Sequence, residues 1–223
     1  MSLSMMSFNI PTPETIMTQA SKFWDKMAER YAKSPVADEE SYQKKLQVTR
    51  DYFRLDMEVL EFGCGTGSTA IVHAPYVKHI QAIDVSSKML AIAQGKADAG
   101  NVGNVTFKRS SIDEFSVRDR TFDAVLGLSI LHLLEDRDAV IAKVHDMLKP
   151  GGIFVSSTVC MGNTMKFFKL IAPIGLFFGL LPVLRVFTTK ELEDSLTGAG
   201  FEIDHKWQPG KSKAAFIVAK KAG

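Results

Sequence analysis

Hydrophobic and polar positions follow two rhythms along this chain, and the change comes near residue 57. Ahead of it, apolar side chains recur at helical spacing, as in Phe23, Trp24, Met27 and Tyr31, until Lys33-Ser-Pro35 breaks the run. The pattern predicts polar-amphipathic helices over 14–54, the second running from about Asp38 to Phe53. Asp38, Glu39 and Glu40 open that second helix, where carboxylates suit the positive end of the helix dipole.

Beyond Met57, short β-rich runs alternate with helical stretches. Val59-Leu60-Glu61-Phe62 reads as a strand ending at Gly63, and the helix from Ser68 stops near Pro75. His79 to Ile83 is a second strand ending at Asp84. Ser86 or Ser87 then caps a helix carrying Met89, Leu90, Ile92 and Ala93. Val105 to Lys108 and Phe122 to Leu128 are further strands, and a helix spans roughly Arg137 to Leu148. Pro150-Gly151-Gly152 turns the chain into a fifth strand, Ile153 to Thr158. Such alternation implies a mostly parallel sheet covered on both faces.

The C-terminal part departs from that rhythm. Thr188-x-x-Glu191 signals a capping box opening a helix that stops near Gly198 or Gly200. Glu202 to Trp207, a Pro209-Gly210 turn and Ala214 to Ala219 read as a hairpin, so one strand of the final pair should run against the sheet. Between the fifth strand and Thr188 lies an insert of 29 residues, 159–187, with an uncharged run of 15 from Leu170 to Leu184 that contains Pro173 and Pro182. A membrane span needs about 20 apolar residues, so this run is not a transmembrane helix.

The chain has 223 residues, 46% apolar and 23% charged, with a net charge of +2. That length holds one large domain with an appendage: a helical extension or lid over 1–56, then the main domain over 57–223. The composition rules out extensive disorder, and the small net charge argues against nucleic-acid binding by bulk charge. Only Cys64 and Cys160 occur, so no disulfide framework is expected and a reducing cytoplasm is the simplest compartment. The first twelve residues lack a basic region followed by an apolar run, so no signal peptide is expected. Histidines 73, 79, 132, 145 and 205 show no zinc-type spacing, and no metal is expected.

The candidate chemistry concentrates in Glu61-Phe-Gly63-Cys-Gly65-Thr-Gly67, at a strand-to-helix junction. In an open parallel sheet, ligands bind beyond the carboxyl ends of the strands. A dinucleotide fingerprint would read Gly-x-Gly-x-x-Gly, which from Gly63 puts Ser68 in the third place. The spacing here is Gly-x-Gly-x-Gly, with an acid two residues before it. A pyrophosphate wants no carboxylate nearby, whereas a cationic amino-acid ligand tolerates one. Asp84, at the end of the next strand, suits either class, because a carboxylate there accepts both hydroxyls of a ribose.

Four motifs in order carry a more specific likeness: Val59-Leu-Glu-Phe-Gly-Cys-Gly-Thr-Gly67, Ala82-Ile-Asp-Val-Ser-Ser-Lys-Met-Leu90, Phe122-Asp-Ala-Val-Leu126 through His132, and Met147-Leu-Lys-Pro-Gly-Gly-Ile-Phe154. With these, the chain resembles the class I S-adenosylmethionine-dependent methyltransferases from about Met57 to Lys221. The resemblance implies a Rossmann-like α/β fold: a doubly wound, mostly parallel seven-stranded sheet with an antiparallel last strand and helices on both faces. It implies S-adenosylmethionine as cofactor and S-adenosylhomocysteine as product. Carried over by position, Gly63, Gly65 and Gly67 pass the methionine portion, Glu61 acts near its amino group, and Asp84 holds the ribose. Val85 and Met89 lie against the adenine. Ser111 and Ile112 fall at the adenine edge, where Ser111 replaces the aspartate that the family often has. Leu128 supplies backbone to the amino group, and Tyr31 looks like an N-terminal lid tyrosine.

A sulfonium methyl is already activated, so the protein must mainly align the reactants and exclude water. His132, after the fourth strand, is the candidate catalytic base if the acceptor must lose a proton; a locally bonded helix-start histidine is the alternative. The insert 159–187 reads as a lid over a mostly apolar small-molecule acceptor. A homodimer surface, or peripheral membrane contact helped by Lys166, Lys169 and Arg185, would use the same residues. A nicotinamide-dependent oxidoreductase and a non-catalytic cofactor-binding or interaction protein are the competing functions. A nucleic-acid partner is disfavoured by Gly127-Leu-Ser-Ile130, which carries no Asn-Pro-Pro-Tyr-type motif.

Overall fold

The computed structural model describes residues 13–117, 120–160, 162, 185–210 and 212–223. Two helices come first, α1 (Pro13–Lys33) and α2 (Glu39–Asp51). Asp38 caps α2 by accepting a hydrogen bond from the Ser41 amide, so its carboxylate works as a cap as well as a dipole partner. The chain then alternates β1 (Glu58–Phe62), α3 (Ser68–His73), β2 (His79–Asp84), α4 (Ser87–Ala99), β3 (Val105–Arg109), β4 (Phe122–Leu128), α5 (Arg137–Met147) and β5 (Leu148–Val159). It closes with α6 (Thr189–Gly198), β6 (Phe201–Trp207) and β7 (Ala214–Lys221).

The seven strands form one sheet in the order β3-β2-β1-β4-β5-β7-β6. β7 pairs antiparallel with both β5 and β6, while β1 to β5 pair in parallel, so β7 alone runs against the other six. The order reverses between β1 and β4, which opens a crevice at their carboxyl ends. Strand parity splits the apolar side chains between two cores. Leu60, Phe62, Val125, Phe154 and Ile217 pack under α5 and α6, whose Val140, Val144, Leu192 and Leu196 they meet. Val59, Ala82, Leu126, Val155 and Phe216 face the other side, under Ala70 of α3, Leu90 of α4 and Val48 just ahead of the end of α2. The capping box expected at Thr188 and Glu191 forms in both directions.

β5 begins earlier than the turn residues suggest. Leu148 already pairs with Phe122, the register then shifts through extra residues on β5 before Ile153 meets Ala124, and Gly151, at φ +73°, bends the chain inside the strand. α1 also differs in its buried side. Its deepest residues are Ser21 and Ala28, turned towards α4, and the aromatic residues are only part-buried or exposed. Of the apolar insert, 161 and 163–184 lie outside the described residues. Its two ends meet: the Gly162 amide donates to the Phe187 carbonyl at 2.9 Å, and Phe187 is buried in the core.

Candidate functional site

β1 and β2 are parallel neighbours with Glu61 opposite Ala82. Asp84 lies two residues past Ala82, so parity puts both acids on one face, at the strand ends beside the crevice. Glu61 is 3% exposed, and its Oε2 has no hydrogen-bond partner among the described residues. Burial, with the Asp84 charge adding to it, pushes the Glu61 carboxyl up to about 8. Asp84 is buried as well, which raises its carboxyl. Backbone amides oppose that rise: Ser86 N–H donates to Oδ1 at 2.9 Å and Gly65 N–H to Oδ2 at 2.9 Å, and the Val85 amide acts in the same sense. A buried, unpaired acid is costly, and a cationic group bound beside it would remove the cost.

The glycines of the loop divide by what a side chain would meet. A Cβ on Gly63 would come within 2.8 Å of Ile130, and one on Gly67 within 2.7 Å of Ala93. Packing of the protein itself therefore demands glycine at both. At Gly65 only the Tyr31 ring is near, at 3.8 Å, so this Cα borders open space, and φ of +53° still favours glycine. Tyr31, from α1, thus stands beside the loop with half its surface exposed. Partial burial raises its phenol, and repulsion from Asp84, Tyr42 and Glu61 adds to the rise. Cys64 is buried, and burial beside the two acids holds its thiol well above the usual range, which leaves it unreactive.

Val85 is part-buried next to Asp84, and Met89 is 2% exposed in the first turn of α4. Ser86 caps that helix, its Oγ accepting from the Met89 amide at 3.1 Å. Ser111 turns its Oγ to the Glu114 amide at 3.1 Å, while Ile112 is buried in the core under α5. Leu128 ends β4 opposite Ser157, and the next residue, Ser129, takes a left-handed φ of +58°. His132 Nδ1 is 3.0 Å from Thr158 Oγ1, and burial lowers its pKa, so the ring is neutral near pH 7. The His132 carbonyl accepts from the Arg185 amide at 2.8 Å, which ties it to the base of the insert.

The structure therefore brings Gly65 against Tyr31 and Asp84, with Glu61 close to Asp84, while Val85 and Ser111 line a cavity next to it. Leu128 and His132 lie across the crevice on the tip of β4. Sequence reasoning missed Asp25 of α1, whose Oδ1 accepts from Ser86 Oγ at 2.6 Å and from the Lys88 amide at 3.1 Å. A signal was present: Ser21, Asp25 and Ala28 share one helical stripe, with the polar Ser21 buried and Asp25 part-buried on it. Among the described residues, no cluster of three or more His, Cys, Asp or Glu is set to hold a metal. None of the described helices is long and apolar enough to cross a membrane.

Comparison with known proteins follows this geometry. Residues 59–152 match the family model described as a methyltransferase domain. The ubiquinone biosynthesis O-methyltransferase of Mesorhizobium japonicum is 28% identical over 154 residues, which is 66% of this chain and 60% of that protein. The uncharacterized methyltransferase YcgJ of Bacillus subtilis is 28% identical over 102 residues, 46% of this chain and 40% of the relative. The crystal structure of YcgJ superposes with a TM-score of 0.68 at 16% identity, covering 81% of this chain and 99% of that one. The [4+2]-cyclase SpnF superposes with a TM-score of 0.74 at 18% identity, covering 95% and 97%. At these identities the superpositions attest the fold. The chain spans 40 to 60% of the length of the first curated relatives it matches.

Proposed function

We propose that this chain, which belongs to the class I S-adenosylmethionine-dependent methyltransferases, transfers a methyl group from S-adenosylmethionine to a small, mostly apolar acceptor. The observation that carries the reading is the acid pair at the ends of β1 and β2. Glu61 offers a buried oxygen without a partner, and Asp84 offers a carboxylate held in place by two amides.

The residues present fit the cofactor. The open side of Gly65 gives room for a methionine chain, Glu61 would neutralise its ammonium, and Asp84 would accept from the ribose hydroxyls. When bound, the sulfonium supplies a methyl carbon with a good leaving group, so displacement needs alignment more than activation. Tyr31 and the extension 1–56 act as a lid that keeps water from the loop. His132 is neutral, its Nδ1 engaged by Thr158, and its other nitrogen would accept the proton of an acceptor hydroxyl or amine.

The apolar acceptor is inferred from Leu170 to Leu184, the insert whose base is bonded to His132. Relatives named for O-methyl transfer in ubiquinone biosynthesis agree with an apolar acceptor and an accepting oxygen. The same insert would serve as the homodimer or membrane surface if it does not close over the acceptor. Light scattering and liposome sedimentation separate those uses. The two free, buried cysteines suit a cytoplasmic setting.

The test is calorimetric titration with S-adenosylhomocysteine, followed by a screen of apolar hydroxyl and amine compounds with methyl-labelled S-adenosylmethionine. Heat with a saturable stoichiometry near one, and label in an organic-soluble product, are expected. No heat overturns the reading. Heat without label in any product makes the chain a binder, or an enzyme of another reaction, as the name of the cyclase neighbour illustrates.

A further inference from the structure

A cavity of about 380 Å³ lies between α1 and the ends of β2 and β3. Ser21, Asp25, Val85, Arg109, Ser110 and Ser111 line it. It begins directly beside Asp84: Val85 is the next residue, and the Ser110 amide donates to the Asp84 carbonyl at 3.1 Å. One residue also links the two acids, since Ser86 gives its amide to Asp84 and its hydroxyl to Asp25. A ribose held by Asp84 would therefore have this chamber next to it, within reach of its base.

Most polar groups of the wall are already used. Arg109 donates Nε to the Val85 carbonyl at 3.1 Å and Nη2 to Ser21 Oγ at 3.2 Å. Ser110 Oγ donates to the Ser111 carbonyl at 3.0 Å, and Ser111 Oγ accepts from Glu114. Asp25 differs. Its Oδ1 takes two bonds, from Ser86 and Lys88, which fix the carboxylate. Its Oδ2 takes none from the described residues, and the side chain lines the cavity. Glu114 also borders the chamber, but it is exposed and no side-chain bond from the described residues holds it.

We propose that Asp25 of α1 accepts a hydrogen bond from the exocyclic amine of the bound purine, so that the N-terminal helix selects an amino-purine over a keto-purine nucleoside. The inference rests on the methyltransferase reading, which supplies the nucleoside. The chemistry is one of sign. An amine donates to a fixed carboxylate oxygen, whereas a keto oxygen in the same place meets a second acceptor. Asp25 thereby makes α1 part of the base site as well as a cover, and it provides the acceptor that Ser111, turned to its own loop, does not.

The test measures S-adenosylhomocysteine and its deaminated counterpart, S-inosylhomocysteine, by calorimetry on the wild type, Asp25→Asn and Glu114→Gln. Asparagine keeps an oxygen for Ser86 and Lys88 and puts an N–H donor where Oδ2 stands. The wild type should prefer the amino ligand by about 30-fold or more, in line with a lost bond plus an unpaired polar group. Asp25→Asn should lose that preference or invert it, and Glu114→Gln should keep it. An intact preference in Asp25→Asn overturns the proposal, as does its collapse in Glu114→Gln. If the asparagine variant melts early, the wild type is titrated with the analogue that carries hydrogen in place of the amine. A loss of about tenfold supports the proposal and equal affinity overturns it. Binding of neither nucleoside to the wild type fails the underlying reading and this inference with it; binding of both alike fails the inference alone.

Discussion

The two halves of the crevice are built on different principles. On the β1–β2 side two acids are buried, Glu61 without a partner among the described residues and Asp84 held by backbone amides, and α1 brings the part-exposed Asp25 beside them. On the β4–β5 side there is no buried acid; a neutral His132, Thr158 and the base of an apolar insert stand there. The first half is fixed before any ligand arrives, because backbone amides hold it. The second half depends on side chains and on a long excursion of chain. A half held by backbone suits the nucleoside cofactor proposed for it, and a half built from side chains suits the separate acceptor proposed there.

Removing Asp84 should separate the halves most sharply. Asp84→Ala loses charge-assisted bonds to the sugar and is expected to cost S-adenosylhomocysteine about 4 kcal/mol, roughly 1,000-fold in affinity. Calorimetry reads it, with Asp84→Asn as the milder variant should the loop loosen. Affinity within threefold of wild type would break the comparison.

Next comes the acid that has no partner. Glu61 titrates at about 8 when folded, against an ordinary 4.5, so the folded chain keeps a proton that the unfolded chain releases. Stability of the ligand-free protein should be full below the lower value and fall as pH rises through that window. The expected loss between pH 5 and pH 9 is about 4 kcal/mol in urea unfolding, and Glu61→Gln should flatten the decline. A wild-type curve that is flat, or rises, would remove the buried charge from the account.

On the other side, His132→Ala should leave S-adenosylhomocysteine affinity within about twofold while turnover falls about 100-fold. Unchanged turnover would take His132 out of the chemistry. The smallest effects lie within the glycine loop. Gly67→Ala should cost about 1–3 kcal/mol of stability, since its Cβ has nowhere to go. Gly65→Ala, with space above it, should cost about 1 kcal/mol and act mainly on cofactor affinity. Equal stability losses from the two would mean that the loop is not divided between packing and binding.

Much of the charged half is legible in the sequence because its causes are local. The glycine spacing marks the loop, and period-two alternation after Val59 and Ile80 carries Glu61 and Asp84 to one face. The capping box at Thr188 and the closing hairpin are local in the same sense. The start of β5 is not, because a bulge opposite β4 decides where Leu148 pairs. The buried side of α1 is not either. Its aromatic stripe draws the eye, yet the residues that dock are Ser21 and Ala28, small enough for close approach to α4.

The sequence by itself determined the sheet, the loop and the acid at each of two strand tips, because side-chain parity and turn chemistry act over a few residues. Only the tertiary structure decided that Asp25 reaches Ser86, 61 positions away, and that His132 meets Thr158, 26 positions on. No periodicity encodes such meetings. They follow from which helix packs on which face, and that depends on the summed burial and hydrogen bonding of the whole chain.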